Sequence, residues 1–320
     1  MTTIQYRGKA YGCEPEESVL EALLRQGAEL DYGCRAGACQ ACMLKLEQGS
    51  VPEQAQKGLK DTQKMEGFFL ACSCYPEQDI ELSSAGGAVT QRAKVAAIDA
   101  LSDEIVALSL MPEQVFEYKS GQFINIHKGA GVVRSYSLAS VPALNEPLQL
   151  HVRRIKNGVV SGWLHDQLKC GDEVEIDGPH GECFYLPGDQ QQPILMIGSG
   201  TGLAPLYGIL RDALQQGHQG DIYLFHGSRE PAGLYLQDEL TNLTAEHGNV
   251  HYQASLSSDI AVEGVVQGRA LDLALNQLAN LKGYRVYLCG NASMVQQAKK
   301  RAFLAGANMQ DILADPFTAV

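Results

Sequence analysis

"DYGCRAGACQACMLKLEQG", residues 31–49, places three of the chain's nine cysteines within nine positions. Cys34, Cys39 and Cys42 are followed by Cys72, so the thiols read C-x4-C-x2-C-x29-C. Zinc sites usually pair their ligands as two separated CxxC or CxxH units, and this arrangement does not. Three thiolates crowded on one loop, with a fourth far along the chain, suit a two-iron cluster in which each iron is held by two sulfurs. Gly33, Ala36, Gly37, Ala38 and Ala41 lie between or beside the thiols. Their small side chains let backbone N–H groups approach the cluster sulfides and tune its potential. The later stretch "LACSCYP" offers both Cys72 and Cys74 as the fourth ligand.

The whole chain sets the bounds for this reading. Its 320 residues suggest two domains or three compact ones. A formal net charge of −12 argues against nucleic acid, whose phosphates demand basic surface, and against anionic membranes. An acidic face suits a basic partner, or simply a soluble and self-repelling protein. The start, MTTIQYRGKA, lacks the apolar core of a signal peptide. No apolar run approaches the roughly 20 residues needed to span a bilayer. The expectation is a cytoplasmic protein with reduced thiols, where an odd number of cysteines argues against a disulfide framework.

The flanks of the cluster loop agree with a small redox domain. Ser18 caps a helical stretch, SVLEALLRQG, with apolar Val19, Leu20, Leu23 and Leu24 and a terminating Gly27. MLKLEQG after the loop reads as a strand. Over residues 1–85 the sequence resembles the plant-type [2Fe–2S] ferredoxins, whose C-x4-C-x2-C spacing it reproduces. That resemblance implies a small α+β domain of β-grasp type with Cys34, Cys39, Cys42 and Cys72 as ligands. It favours Cys72 over Cys74, because family members usually read leucine-alanine-cysteine there. Cys13, Cys74, Cys170 and Cys183 are then small hydrophobes.

Beyond it, "SSAGGAVTQ", residues 83–91, reads as a linker, with the domain boundary set at residues 86–92. Period-two stretches between turns then suggest an antiparallel barrel or sandwich, set as a β-barrel domain over residues 93–189. Inside it sit "RSYS", residues 134–137, and "KNGVVSGWL", residues 156–164. An arginine and a helix N-terminus bearing a serine can jointly hold a pyrophosphate. The pair of motifs resembles the FAD domain of the ferredoxin–NADP reductase superfamily. By that resemblance Arg134 and Ser161, with Gly158 opening the helix, hold the FAD phosphates. Tyr136 packs on the flavin ring and Ser137 lies near flavin N5. His151 and His180 are read as structural, since hydride transfer to a flavin needs no side-chain proton donor at the transferred atom.

Residues 190–320 alternate strand-like and helical stretches, as in a parallel α/β sheet. The first strand runs into "GSGTGLAP", residues 198–205, which is neither a Walker loop nor a full GxGxxG. Its glycines, Gly200 and Gly202 among them, would bring backbone N–H groups against a pyrophosphate. "HGSR" and "YLCGN" follow at later strand ends. This order resembles the NAD(P)H domain of the same superfamily. It implies Thr201 and Cys289, with Gly290, around the nicotinamide, and Ser228 and Arg229 near the adenosine ribose. Phe317 in "DPFTAV" is either an aromatic laid against the flavin or an ordinary terminal residue.

Taken in order, the three modules resemble the reductase components of bacterial oxygenases, such as those serving benzoate dioxygenase, phenol hydroxylase and methane monooxygenase. The related phthalate-type reductases carry the ferredoxin last and use FMN, so this order favours FAD. The resemblance implies an NAD(P)H oxidoreductase passing electrons from NADH through FAD and a [2Fe–2S] cluster to a protein acceptor, an oxygenase or ferredoxin component. Ser137, Thr201 and Cys289 are the residues expected nearest the chemistry. NADPH is the alternative donor because of Arg229, but no second basic residue follows it nearby. The alternatives are a reductase of deoxysugar synthesis or of another small molecule, and a non-enzymatic iron–sulfur redox sensor.

Overall fold

The computed structural model describes residues 2–30, 32, 35, 42–84, 89–129, 132–144 and 147–317. The chain divides into two compact units, Met1–Gly87 and Ala88–Val320.

The first unit holds β1 (Thr2–Tyr6), β2 (Lys9–Cys13), α1 (Val19–Arg25), β3 (Met43–Gln48), α2 (Asp61–Met65), β4 (Phe68–Leu70) and β5 (Ile80–Ser84). Its sheet runs β2-β1-β5-β3-β4, with only the β1–β5 pair parallel. The expected helix forms for the expected reason. The Ser18 hydroxyl accepts the Glu21 N–H, and the Glu21 carboxylate accepts the Ser18 N–H in return. Such a cap stabilises a helix by about 1 kcal/mol. The face it presents, Val19, Leu20, Ala22 and Leu23, is buried in one core with Ile4, Tyr6 and Leu44 from the sheet.

The second unit begins with β6 (Val89–Ala100), β7 (Ile105–Pro112), β8 (Phe123–His127), β9 (Val133–Ser137), β10 (Leu148–Arg153), α3 (Val159–Asp166) and β11 (Glu173–His180). The strands form an antiparallel sheet in the order β10-β7-β6-β11-β8-β9. A bridge between Leu138 and Leu150 joins the two ends, so the sheet closes into a barrel. Part of the segment read as a linker lies in the barrel wall. Thr90, Gln91 and Arg92 pair with Asp177, Ile176 and Glu175. Small and polar residues take a ladder position when a partner strand is present, and Gln91 is buried there with its amide oxygen accepting the Gln114 N–H.

The remaining elements are β12 (Ile194–Ser199), α4 (Leu203–Gln215), β13 (Ile222–Ser228), α5 (Gln237–Glu246), β14 (Val250–Leu256), β15 (Val266–Gln267), α6 (Ala270–Gln277), β16 (Arg285–Asn291), α7 (Ala292–Leu304) and β17 (Ile312–Phe317). Their sheet is parallel throughout, in the order β15-β14-β13-β12-β16-β17. The chain therefore builds outward from β12 on one side and then restarts on the other. Ligands bind such sheets outside the carboxyl ends of the strands at this reversal. Sequence patterning missed β17, because "DPF" reads as a tail. Pro316 is tolerated there because β17 is an edge strand.

Candidate functional site

Two thiols of the cysteine motif lie within the described residues; Cys34 and Cys39 lie outside them. Cys42 directly precedes β3, and Cys72 sits in the tight turn after β4. The Ala71 N–H donates to the Cys42 carbonyl at 3.0 Å. That bond brings the two thiols close enough to interact. Burial pushes the Cys42 thiol up to about 11. Cys74, the rival fourth ligand, faces elsewhere. Its carbonyl accepts the Val19 N–H at 2.8 Å, and its thiol, pushed up to about 12 by burial, lies near Cys13.

In the second unit, a cavity of about 1200 Å³ opens at the carboxyl ends of β12, β13, β16 and β17. Its opposite wall is the barrel. Arg134, Tyr136 and Ser137 of β9 line it, as do Gly158 and Ser161 at the start of α3. Gly200 and Thr201 line it from the turn after β12, Ser228 and Arg229 from the end of β13, and Phe317 from the end of β17. Gly202, Cys289 and Gly290 are not on its surface but stand behind it.

The turn after β12 is shaped by its glycines. Gly200 adopts φ +54°, a left-handed conformation that other residues enter at a cost. A Cβ on Gly202 would overlap the Cys289 carbonyl. The Ser199 hydroxyl oxygen accepts the Asn291 N–H at 2.9 Å, which ties the turn to the end of β16. Below it, His226 lies within hydrogen-bonding distance of the Gly200 carbonyl, Nε2 to O 3.0 Å. Burial holds that imidazole neutral down to about 4. The Cys289 thiol is wholly buried, 3.6 Å from the Cys183 sulfur, and burial pushes its pKa well up.

On the barrel wall, Tyr136 is kept protonated to about 12 by burial, with Arg134 acting in the opposite direction. The Ser161 hydroxyl oxygen accepts the Ile155 N–H at 3.2 Å. The Ser137 hydroxyl donates to Asp315 Oδ2 at 2.6 Å. Asp315 sits on β17 opposite Cys289. Burial raises its pKa, and the Ser137 bond lowers it in part. Sequence reasoning did not find Asp315. Its signal was the acid before the proline of "DPF", which acquires meaning only once β17 pairs with β16.

Three further lining residues were also missed or set aside. His151 and Arg153 of β10 reach the cavity. So does Arg269, just before α6, although no basic residue follows Arg229 closely in sequence. Arg229 and Arg269 line the same cavity, and Ser257, after β14, donates its N–H to the Ser228 carbonyl at 3.0 Å, while β15 pairs with β14. His180 is not among the cavity's lining residues, and its Nε2 is 2.5 Å from Asp177 Oδ1 on its own strand.

The cavity fits dinucleotides. Its volume exceeds the roughly 300–1,000 Å³ of ordinary small-molecule sites, which leaves room for more than one ligand. Its polar lining supplies hydroxyls, guanidinium groups and a glycine turn at a helix start, the donors that a diphosphate takes. Cys42 and Cys72 likewise offer two adjacent thiols of the soft kind that iron clusters use.

Comparison with known proteins agrees module by module. Residues 2–77 match the 2Fe-2S iron-sulfur cluster binding domain, residues 92–185 the oxidoreductase FAD-binding domain and residues 196–300 the oxidoreductase NAD-binding domain. The chain is 33% identical over 324 residues to the reductase component of propane 2-monooxygenase from Gordonia sp. (strain TY-5), covering 95% of this chain and 93% of that one. It is 33% identical over 311 residues to an aromatic O-demethylase reductase subunit from Amycolatopsis sp. (strain ATCC 39116 / 75iv2), covering 92% and 91%. Among solved structures, an Amycolatopsis cytochrome P450 reductase superposes with a TM-score of 0.70 at 29% identity, covering 100% of this chain and 99% of that one.

Proposed function

The chain belongs to the family of [2Fe–2S] flavoprotein reductases that serve as reductase components of oxygenases, and from that premise we propose that it delivers electrons from NADH to an oxygenase component. It is an NAD(P)H-dependent oxidoreductase using FAD and a [2Fe–2S] cluster. When bound, the flavin takes an electron pair from the nicotinamide and releases it singly, and the cluster carries single electrons outward.

The chain's own residues bind and orient. Arg134 and the start of α3 hold the FAD diphosphate. Ser161 accepts a backbone N–H, so its own proton is left for the ligand. Tyr136 offers a neutral ring to the flavin face. Ser137, anchored on Asp315, stands at the flavin edge that meets the nicotinamide. Thr201 bounds the nicotinamide, the Cys289–Gly290 backbone packs behind the Gly202 turn, and the buried Cys289 thiol stays neutral there. Ser228 and Arg229 take the adenosine ribose, and Phe317, which lines the cavity, would lie against the flavin. In the first unit Cys34, Cys39, Cys42 and Cys72 hold the cluster. These thiols and the NADH supply suit the cytoplasm.

One observation carries this reading: a single cavity has the flavin-type residues on one wall and the glycine turn of the nucleotide sheet on the other. Anaerobic titration of the holoprotein with NADH should bleach the flavin and iron–sulfur bands together. A reduced flavin beside a fully oxidised cluster would overturn it. NADH is proposed over NADPH because the Arg229 side chain is 88% exposed and its neighbour Glu230 is 3.7 Å away, an acid that a 2′-phosphate would meet. Arg269 is the residue that can reverse this preference. A kcat/KM favouring NADPH, abolished by Arg269→Ala, would show that it does.

A further inference from the structure

His151 stands apart from every motif, yet it is placed with care. It lies in the middle of β10, opposite Ala107 of β7, and is 5% exposed. Its exposed part belongs to the cavity lining. Nδ1 is 3.1 Å from the hydroxyl oxygen of Tyr235, which reaches it from the nucleotide-binding side. The rings of Tyr235 and His151 meet edge to face at 5.3 Å, and Tyr235 also stands edge-on to His226 at 5.7 Å.

This contact fixes the tautomer. Among the described residues the Tyr235 hydroxyl has His151 as its hydrogen-bond partner and no other. If Nδ1 carried the proton and donated to the phenol oxygen, the phenolic proton would be stranded in a fully buried site. A stranded buried donor is costly. The hydroxyl must therefore donate to Nδ1, which leaves the proton of the neutral ring on Nε2. Among the described residues Nε2 has no hydrogen-bond partner, it is not sealed from solvent, and His151 lines the cavity, so Nε2 faces it. Burial, reinforced by the nearby Arg211, holds the ring neutral down to about 3.

The surroundings define what such a donor meets. Arg153, two positions on and on the same face of β10, reaches to 3.9 Å from where a Cβ on Gly200 would stand. Glu104 steadies that guanidinium with bonds of 2.7 and 3.1 Å. A guanidinium, an N–H donor and a glycine turn therefore converge beside the nucleotide-binding sheet.

We propose that His151 is a ligand-binding residue whose Nε2–H donates to a diphosphate oxygen of the nicotinamide dinucleotide, with Tyr235 as the positioning residue that sets its tautomer. The proposal rests on the NADH reading above and extends it to a residue outside the recognised motifs. It requires no change of charge on the ring during turnover.

The test is calorimetric titration of the oxidised, FAD-loaded protein with NAD⁺, ADP-ribose and AMP. His151→Phe keeps the ring and removes the donor. It should weaken NAD⁺ and ADP-ribose about tenfold, the scale of one hydrogen bond to a charged group, while leaving AMP and FAD content unchanged. His151→Gln, which restores an N–H near the same place, should recover most of the loss. Unchanged NAD⁺ affinity in His151→Phe would overturn the proposal. So would an equal loss for AMP, which marks a merely structural ring, or loss of FAD alone, which assigns the donor to the flavin diphosphate.

The wild-type protein gives a second readout that needs no variant. Its ¹⁵N imidazole signals should report an Nε2–H tautomer for His151 from pH 5.5 to 8.5, with Nε2 shifting on addition of NAD⁺. A charged ring, the other tautomer, or no shift would each overturn the proposal. NADH-driven flavin bleaching in the same preparation separates the two failures. Absent bleaching overturns the functional reading and this inference with it, whereas bleaching with an unresponsive His151 overturns this inference alone.

Discussion

The two compact units assemble their sites in opposite ways. In the first, three of the four expected cluster ligands fall within nine consecutive positions, and the fourth follows a three-residue strand. In the second, the cavity draws on β9, β10, the start of α3, and the ends of β12, β13 and β17, from Phe123 to Phe317. A cluster site is set by covalent spacing along one loop. A dinucleotide site is set by which strand ends the sheet order brings together. The first tolerates little change in spacing and much change in its surroundings; the second does the reverse.

The sharpest way to break the contrast is to change one thiol. Cys72→Ser should abolish the iron–sulfur absorption entirely, whereas Cys74→Ser, whose sulfur faces Cys13 rather than Cys42, should leave it. A normal cluster in Cys72→Ser would sink the assignment. Separating the units comes next. A fragment beginning at Ala88 keeps both walls of the cavity. It should bind FAD and oxidise NADH with ferricyanide, yet lose nearly all activity toward cytochrome c. Equal rates with cytochrome c would mean that the cluster is not the outlet. Residues 1–85 carry 8 basic and 13 acidic side chains, so the full chain's rate with basic cytochrome c should also fall with added salt.

Smaller effects probe the assembled site. Asp315→Asn should slow NADH oxidation about tenfold, because Ser137 loses its anchor. Its effect on stability has the opposite sign. Burial raises the Asp315 pKa in the folded protein, so the folded state binds its proton more tightly than the unfolded one. That contribution is fully present below the unfolded value and is lost as pH rises through the folded one. At pH 7 the asparagine variant should therefore melt no lower than wild type, and its relative stability should decline toward pH 4. A lower melting temperature at pH 7 would show that the carboxylate is structural. The smallest effect is expected from ending the chain after Pro316, which removes the Phe317 ring. It should shift NADH affinity or flavin fluorescence about threefold, and no change in either would make Phe317 an ordinary end residue.

The same contrast decides what could be read without coordinates. The Ser18 cap, the RSYS strand and the GSGTG turn are local, and each stands where its pattern places it. Asp315 and Arg269 were illegible because their meaning comes from strand neighbours. Asp315 matters through a bond to Ser137, 178 positions earlier in the chain, and Arg269 lines the same cavity as Arg229 only because β14 and β15 lie between them. His151 was read as an ordinary core histidine, and most of its ring is one. The Tyr235 hydroxyl that gives it a direction comes from another layer of the fold. Local chemistry also misjudged the linker, since Thr90–Arg92 have no turn residue to stop a strand that finds β11 beside it.

The position of β17 also sets an order in time. It follows every other element of the cavity along the chain, yet pairs with β16 and supplies Asp315 and Phe317. At about 5–20 residues per second, synthesis from Val89 to Phe317 takes roughly 11–46 s. The first unit can fold during that interval, but the NADH-facing cavity cannot close until its last strand emerges. A nascent chain can therefore hold a folded first unit before the cavity of the second is complete.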